Sequence, residues 1–354
     1  MGVTAVEHAA RQEERSSDAL AWLASEMGLE LPLIEGAQCT VAGVPYEVAG
    51  GIPRQRPPGE SATQDQTRSA FGYKWGRRDT YESDEALRIA RDWLIVRYGA
   101  MDANDWLWET SSRPVVLDAG CGAAMSAIEL FGPVMDRIRY VGLDISDAVD
   151  VARRRFSEKG FDGAFVQGSV VAPPCGDGTV DIIFSEGVLH HTDSTETALK
   201  QLAKLLVPGG RFLFYVYRKK GPVREFSDDY LRHQLQGMDH DAAWQALMPL
   251  SKLGQALGEM DVEIDVPEAV DLLGIPAGKI PLQRFIYWHV FKAFYRPEMS
   301  LDEMNHVNFD WYMPLNAHRQ SEDDVTRWCD EAGMHVERLE VEESGITVIA
   351  RKRP

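Results

Sequence analysis

The chain is poor in cysteine, in positive charge and in long apolar runs. Its four cysteines, Cys39, Cys121, Cys175 and Cys329, are far apart and form no C-x-x-C pair. Neither a disulfide framework nor a zinc site is expected, no metal is assigned, and a reducing cytoplasm is the default compartment. Lys and Arg number 37 against 55 Asp and Glu, for a formal charge of −18. Nucleic acid is therefore not the expected partner, because neutralising phosphates requires clustered cations. The basic runs Arg153–Arg155 and Arg218–Lys220 sit in acidic surroundings and read as solvated faces. No run of about 18 apolar residues occurs, so neither a membrane-spanning helix nor a membrane partner is expected. The N-terminus has no basic segment followed by an apolar one, so no secretory signal is read. Within these limits, 354 residues can bury a large core.

Also missing is a three-glycine dinucleotide fingerprint. The apolar run Val115-Val116-Leu117 leads into Asp118-Ala119-Gly120-Cys121-Gly122, and a helical stretch follows from Ala123 to Leu130. A buried strand, a glycine turn and a helix make the first half of a nucleotide-binding βαβ unit. Met125 stands where a third glycine would be. The loop instead places a carboxylate two residues before its first glycine, which suits a ligand with a cationic amine better than a pyrophosphate.

This D-x-G-x-G turn resembles motif I of the class I S-adenosylmethionine (SAM) methyltransferases. Further stretches continue the likeness in order: Arg139–Ser146 with Asp144 ending an apolar strand, Gly163–Ser169, Thr179–His191, and Leu205–Tyr215 with its Pro-Gly-Gly turn. It is close over residues 113–217 and returns after 320. The resemblance implies an α/β fold: a doubly wound, Rossmann-like seven-stranded sheet with an antiparallel terminal hairpin, plus a helical N-terminal segment and a helical lid insertion. It implies SAM as cofactor, with Asp118 toward the amine, Ala119, Gly120, Gly122 and Ser185 around the turn, and Asp144 on the ribose. Ile145 would pack on adenine, with Ser169 and Val170 at its edge. The family often has Asp where this chain has Ser169, so that position departs from the pattern.

The expected organisation is an N-terminal helix, hairpin and linker over 1–66, a helical cofactor cap over 67–112, the cofactor-binding core over 113–220, an aromatic-rich helical lid over 221–319, and a closing helix and hairpin over 320–354. Val6–Met27 has helix-like spacing, Cys39–Pro53 reads as a hairpin, and Pro53–Gln66 as a linker. Thr67–Tyr98 is expected to be helical. Its Phe71 and Trp75 either fold over the cofactor, where a ring face would attract a sulfonium, or pack on the sheet. Within the lid, helices are expected over Asp241–Met260 and Pro281–Tyr295, and His306–Pro314 reads as a packed turn or a site.

Methyl transfer from a sulfonium needs alignment and exclusion of water above all. A hydroxyl or carbon acceptor also needs its proton removed, whereas a neutral amine does not. Glu186, His190 and His191 follow the fourth core strand, at the mouth of such a sheet, and are the candidate catalytic residues; a histidine there can equally serve the cofactor pocket. Tyr287, Trp288, His289, Trp311 and Tyr312 are the candidate substrate residues. The expected function is methylation of a small-molecule acceptor at O, N or C, and homo-oligomers remain open. A non-catalytic SAM-binding regulator, a carbon methyltransferase for an isoprenoid and a nicotinamide-dependent oxidoreductase stand as alternatives.

Overall fold

The computed structural model describes residues 18–55 and 61–354. Residues 18–27 are helical (α1), and the earlier part of the expected N-terminal helix lies outside the described residues. Three strands follow, β1 (Gln38–Val41), β2 (Val44–Ala49) and β3 (Ile52–Gln55), then helices α2 (Ala62–Gly76) and α3 (Asp84–Tyr98). The core runs β4 (Val115–Ala119), α4 (Met125–Phe131), β5 (Arg139–Asp144), α5 (Ala148–Lys159), β6 (Ala164–Gln167), β7 (Val180–Glu186), α6 (Thr195–Lys204) and β8 (Leu206–Tyr217). The lid comprises α7 (Pro222–Gln234), α8 (His240–Glu259), the hairpin of β9 (Glu263–Val266) and β10 (Gly278–Pro281), α9 (Leu282–His289) and α10 (Leu301–Tyr312). Helix α11 (Glu322–Glu331) and strands β11 (Met334–Val341) and β12 (Gly345–Lys352) close the chain.

The main sheet has the order β1-β2-β3-β6-β5-β4-β7-β8-β12-β11. The strands from β6 to β8 pair in parallel, and β12 and β11 add antiparallel. The expected sheet has seven strands; among the described residues it has ten, because β1 to β3 extend these seven beyond β6. Alternation along each strand feeds two apolar layers. Leu117, Ala119, Leu143 and Ile183 pack with Leu23, Leu199 and Val325 on one face. Val116, Tyr140, Ile182 and Phe184 pack with Leu94, Phe131 and Phe156 on the other. Helices on both faces explain why these strands are apolar throughout.

Five stretches depart from the sequence reading. The expected Cys39–Pro53 hairpin gains a third strand, and β3 joins the core sheet in parallel beside β6 at Arg54 and Gln167. Of the expected Pro53–Gln66 linker, residues 53–55 are strand and Ala62 onward is helix, while residues 56–60 lie outside the described residues. The expected Thr67–Tyr98 helix is broken after Gly76, and Ser83 starts α3 by accepting from the Ala86 N–H. The expected Pro281–Tyr295 helix stops at His289, because the next backbone donors are taken elsewhere. The Lys292 N–H donates to Tyr312 Oη (2.8 Å), and that of Phe294 to Asn308 Oδ1 (3.1 Å). His306–Tyr312, in turn, is the end of α10, which starts at a reciprocal Ser300–Glu303 capping box.

The lid is held to itself by buried polar contacts as well as rings. Asn305 Nδ2 donates to the Trp244 carbonyl (3.0 Å), and Asn308 Nδ2 donates to Ser251 Oγ (2.9 Å), fastening α10 to α8. Trp244, Leu247, Phe309, Trp311 and Tyr312 form an apolar cluster with Tyr215 and Tyr217 of β8. The lid thereby meets the sheet at the C-terminal ends of its parallel strands.

Candidate active site

A cavity of about 690 Å³ lies at these strand ends, walled by α2, the glycine turn and the lid. In an open α/β sheet this is where ligands bind, since the loops there are free to face them. The turn is tied to β5, with the N–H groups of Gly120 and Cys121 both donating to the Leu143 carbonyl. Gly120 has φ +88, and a Cβ there would meet Val188 Cγ1 at 2.2 Å. Gly122 has φ +50, and its Cβ would meet Trp75 Nε1 at 2.5 Å. The backbone conformation and the space therefore both require glycine.

Asp144 ends β5 and lines the cavity. It accepts from the Gly122 N–H (2.8 Å) and from the Ser146 N–H and hydroxyl (2.8 and 2.6 Å). Burial raises its pKa, opposed by those hydrogen bonds. Ile145, Ser169 and Val170 line the same end, as do Phe71 and Trp75 of α2. Gln55 also lines it and accepts from the Ser169 N–H (2.8 Å). Nothing local to Gln55 marks it as a site residue; only the unforeseen pairing of β3 with β6 brings it there. A strand-end carboxylate, a polar edge at Ser169 and Gln55, a bare glycine turn and ring faces form a set that fits ribose, adenine and a sulfonium.

Other expected cofactor residues stand behind this wall. Asp118 is buried and accepts from the Tyr140 hydroxyl (2.7 Å), and burial pushes its carboxyl up to about 7 despite that bond. Ala119 continues the buried strand, and Ser185 donates to its carbonyl (2.8 Å). Gly122 faces Trp75 and does not itself line the cavity.

The catalytic candidates separate in the same way. His190 is fully buried, its ring stacked on Tyr217 at 3.6 Å between centroids and its Nδ1 accepting from the Tyr217 N–H. It does not reach the cavity. His191 does, with Nδ1 2.5 Å from the Asn316 carbonyl and a buried Nε2 that has no partner. Burial pushes its pKa down to about 4. Glu186 also lines the cavity. Its Oε2 accepts from the Tyr98 hydroxyl and its buried Oε1 is unpartnered. Burial moves its pKa up to about 7, with Tyr98 and Arg97 pulling the other way.

Among the expected substrate residues, Tyr287 lines the cavity. Trp288 packs edge-on against it, and His289 sits beside Phe285, both outside the wall. Trp311 lies behind Tyr217, with ring centroids 4.3 Å apart. Tyr312 is fully buried and donates to Asp228 Oδ1 (3.0 Å). From the His306–Pro314 stretch, α10 presents His306 and Asp310 to the cavity. Asp310 is ion-paired with Lys74 of α2 and accepts from the Tyr217 hydroxyl (3.0 Å). Burial alone would raise the Asp310 pKa, but Lys74, His191 and Lys292 hold it well below the usual carboxylate range. Lys74, Lys292 and Arg296 also line the cavity and carry no sequence motif. Among the described residues, no group of three or more His, Cys, Asp or Glu side chains is placed to hold a metal ion.

The parallel sheet with an antiparallel end, the D-x-G-x-G turn and the strand-end acid are the features the resemblance to class I SAM-dependent methyltransferases leads one to expect. Residues 117–214, less than a third of the chain, match the methyltransferase domain family, which supports a SAM-dependent methyltransferase. An uncharacterised methyltransferase of Bacillus subtilis is 29% identical over 175 residues, covering 46% of this chain and 67% of that one. The macaque tRNA (carboxymethyluridine(34)-5-O)-methyltransferase is 30% identical over 132 residues, covering 36% of this chain and 18% of that one. A solved N1-methyltransferase for 1,6-didemethyltoxoflavin, from Burkholderia thailandensis, is 15% identical and aligns with a TM-score of 0.43, covering 88% of this chain and 97% of that one.

Proposed function

We propose that the enzyme methylates a small molecule held inside the cavity, and that His191 accepts the proton the acceptor releases. One observation carries this: His191 lines the cavity and its buried Nε2 has no hydrogen-bond partner. A carbonyl can only accept, so Nδ1 bears the ring proton and Nε2 is left as a lone pair. Burial pushes its pKa down to about 4, so Nε2 is unprotonated at neutral pH and accepts a proton only as a weak base.

SAM, when bound, supplies a methyl group already activated by positive sulfur. This chain's residues do the rest. Asp144 would hold the ribose, Ser169 and Gln55 the adenine edge, and Gly120 would leave room at the turn. Phe71 and Trp75 cover that end and keep water out. Glu186, with a pKa near neutrality, can donate to or accept from an acceptor group through Oε1. The volume falls within the roughly 300–1,000 Å³ of small-molecule sites, and the net charge of −18 disfavours a polyanionic acceptor.

A methyl-transfer screen with labelled SAM against small-molecule extracts and bulk tRNA tests this reading. Label is expected in the small-molecule fraction, with the rate falling in His191→Gln. Label in tRNA alone would overturn it.

A further inference from the structure

Lys292 is a buried amine with no carboxylate in direct contact; Asp310 and Asp228 act on it only from farther away. It is 6% exposed and lines the cavity, yet it makes no ion pair with any described residue. Its Nζ lies over the Trp311 ring, 4.6 Å from the centroid. Arg296, half-buried on the same segment between α9 and α10, also lines the cavity and likewise forms no ion pair with the described residues. Buried charges are normally paired, because leaving water without compensation is costly.

The acids around the cavity are already engaged. Asp310 serves Lys74 and Tyr217. Glu303 accepts from the Ser83 hydroxyl and the Ser300 N–H. Asp193 accepts from Ser61 and Asn316. Asp144 holds Gly122 and Ser146. Glu186, bonded to Tyr98, titrates near neutrality and is not a permanent anion. Behind Lys292, the buried Arg224–Asp228 pair is internally neutral (2.8 Å) and offers no spare negative charge. Two cations on the lid segment are thus left facing a space whose carboxylates belong to others. Around them the cavity wall is aromatic and apolar, with Trp93, Tyr287, Phe294 and Met299.

We propose that the methyl acceptor is a flat, apolar molecule bearing a carboxylate, and that Lys292, with Arg296 on the same segment, receives that carboxylate. The site would bind the acid in preference to its neutral amide, because only the acid supplies the missing counter-charge. Burial leaves the empty-site amine with a pKa lowered to about 7, and a bound carboxylate would restore its proton. This rests on the cavity being the acceptor site.

The test uses protein saturated with S-adenosylhomocysteine (SAH), titrated with benzoate and with benzamide at neutral pH. Benzoate is expected to bind at least about tenfold more tightly than benzamide. That preference should vanish in Lys292→Met and persist in Lys292→Arg, with SAH affinity unchanged in both. Equal binding of the two probes, no binding of either, or a preference that survives in Lys292→Met would overturn the proposal. Loss of SAH affinity in Lys292→Met would also overturn it, by placing the amine on the cofactor's own carboxylate. Failure of the unsubstituted protein to bind SAH would instead remove the reading beneath it.

Discussion

His191 Nδ1 and the main-chain oxygen of Asn316 lie 2.5 Å apart, and this contact decides what the ring can do. It leaves Nε2 of this cavity-lining ring as an unpartnered lone pair. Asn316 is itself fixed, its N–H donating to Thr67 Oγ1 (3.1 Å) and its Nδ2 to Asp193 (2.9 Å). The His191 ring is therefore oriented by the segment between lid and core, and that segment is anchored on α2.

Replacing His191 with Gln should remove the base while leaving the cofactor end alone. Steady-state kinetics with a proton-bearing acceptor should show kcat lowered about 100-fold or more, the usual scale of general-base loss. SAH affinity measured by calorimetry should fall far less than kcat, since on the cofactor side the ring meets Phe71 edge-on at 4.8 Å between centroids and glutamine keeps part of that packing. An unchanged kcat would mean that the acceptor releases its proton without this ring.

Glu186 gives a pH signature. Its folded pKa lies near 7 against the ordinary 4.5, so the folded state holds a proton that the unfolded chain has released between those values. This contribution to stability falls as pH rises through that window and is flat above it. Glu186→Gln abolishes the titration. Denaturant unfolding should show the variant gaining on the unsubstituted protein by up to about 2 kcal/mol between pH 5.5 and 8. His191 has the opposite slope, losing stability as pH falls from its ordinary 6.5 toward 4, but it is common to both proteins and cancels in the difference.

Gly120→Ala should fail on two counts. The residue has φ +88, and its new methyl group would fall 2.2 Å from Val188 Cγ1. The dihedral alone costs about 1–2 kcal/mol, and the overlap adds to it. Unfolding midpoints should drop, and SAH binding should become undetectable even in the folded fraction.

Gln55→Ala tests the contribution of the N-terminal strands. Gln55 reaches the Ser169 N–H from β3, a strand outside the seven-stranded core. SAH affinity should weaken about fivefold, roughly 1 kcal/mol, with little change in unfolding. No effect would show the meander to be structural at this point.

What was legible in the sequence follows from how local each signal is. Asp118–Gly122 and Asp144 stand within short strand–turn–helix units, so pattern alone places them at the strand ends. Asp118 looks like a ligand residue by spacing, but Tyr140 on the neighbouring strand captures its carboxylate. Which of two adjacent histidines faces the cavity depends on the Tyr217 ring and the Asn316 carbonyl, both distant in the chain. The lid was the least legible part. Its aromatic density was plain, yet the end of α9 is set by Tyr312 and Asn308 of another helix. Ser300-x-x-Glu303 was a local sign of α10 that the pull of the rings obscured. Lys74, Lys292 and Arg296 have no motif, and only packing reveals them as cavity residues.

The central claim is that the strand-end cavity holds SAM with Asp144 on its ribose, and calorimetric titration with SAH and with NADH tests it most directly. The unsubstituted protein should bind SAH and give no heat with NADH, and Asp144→Asn should bind SAH at least about tenfold more weakly while folding normally. Silence toward SAH, or equal affinity in the two proteins, would contradict it.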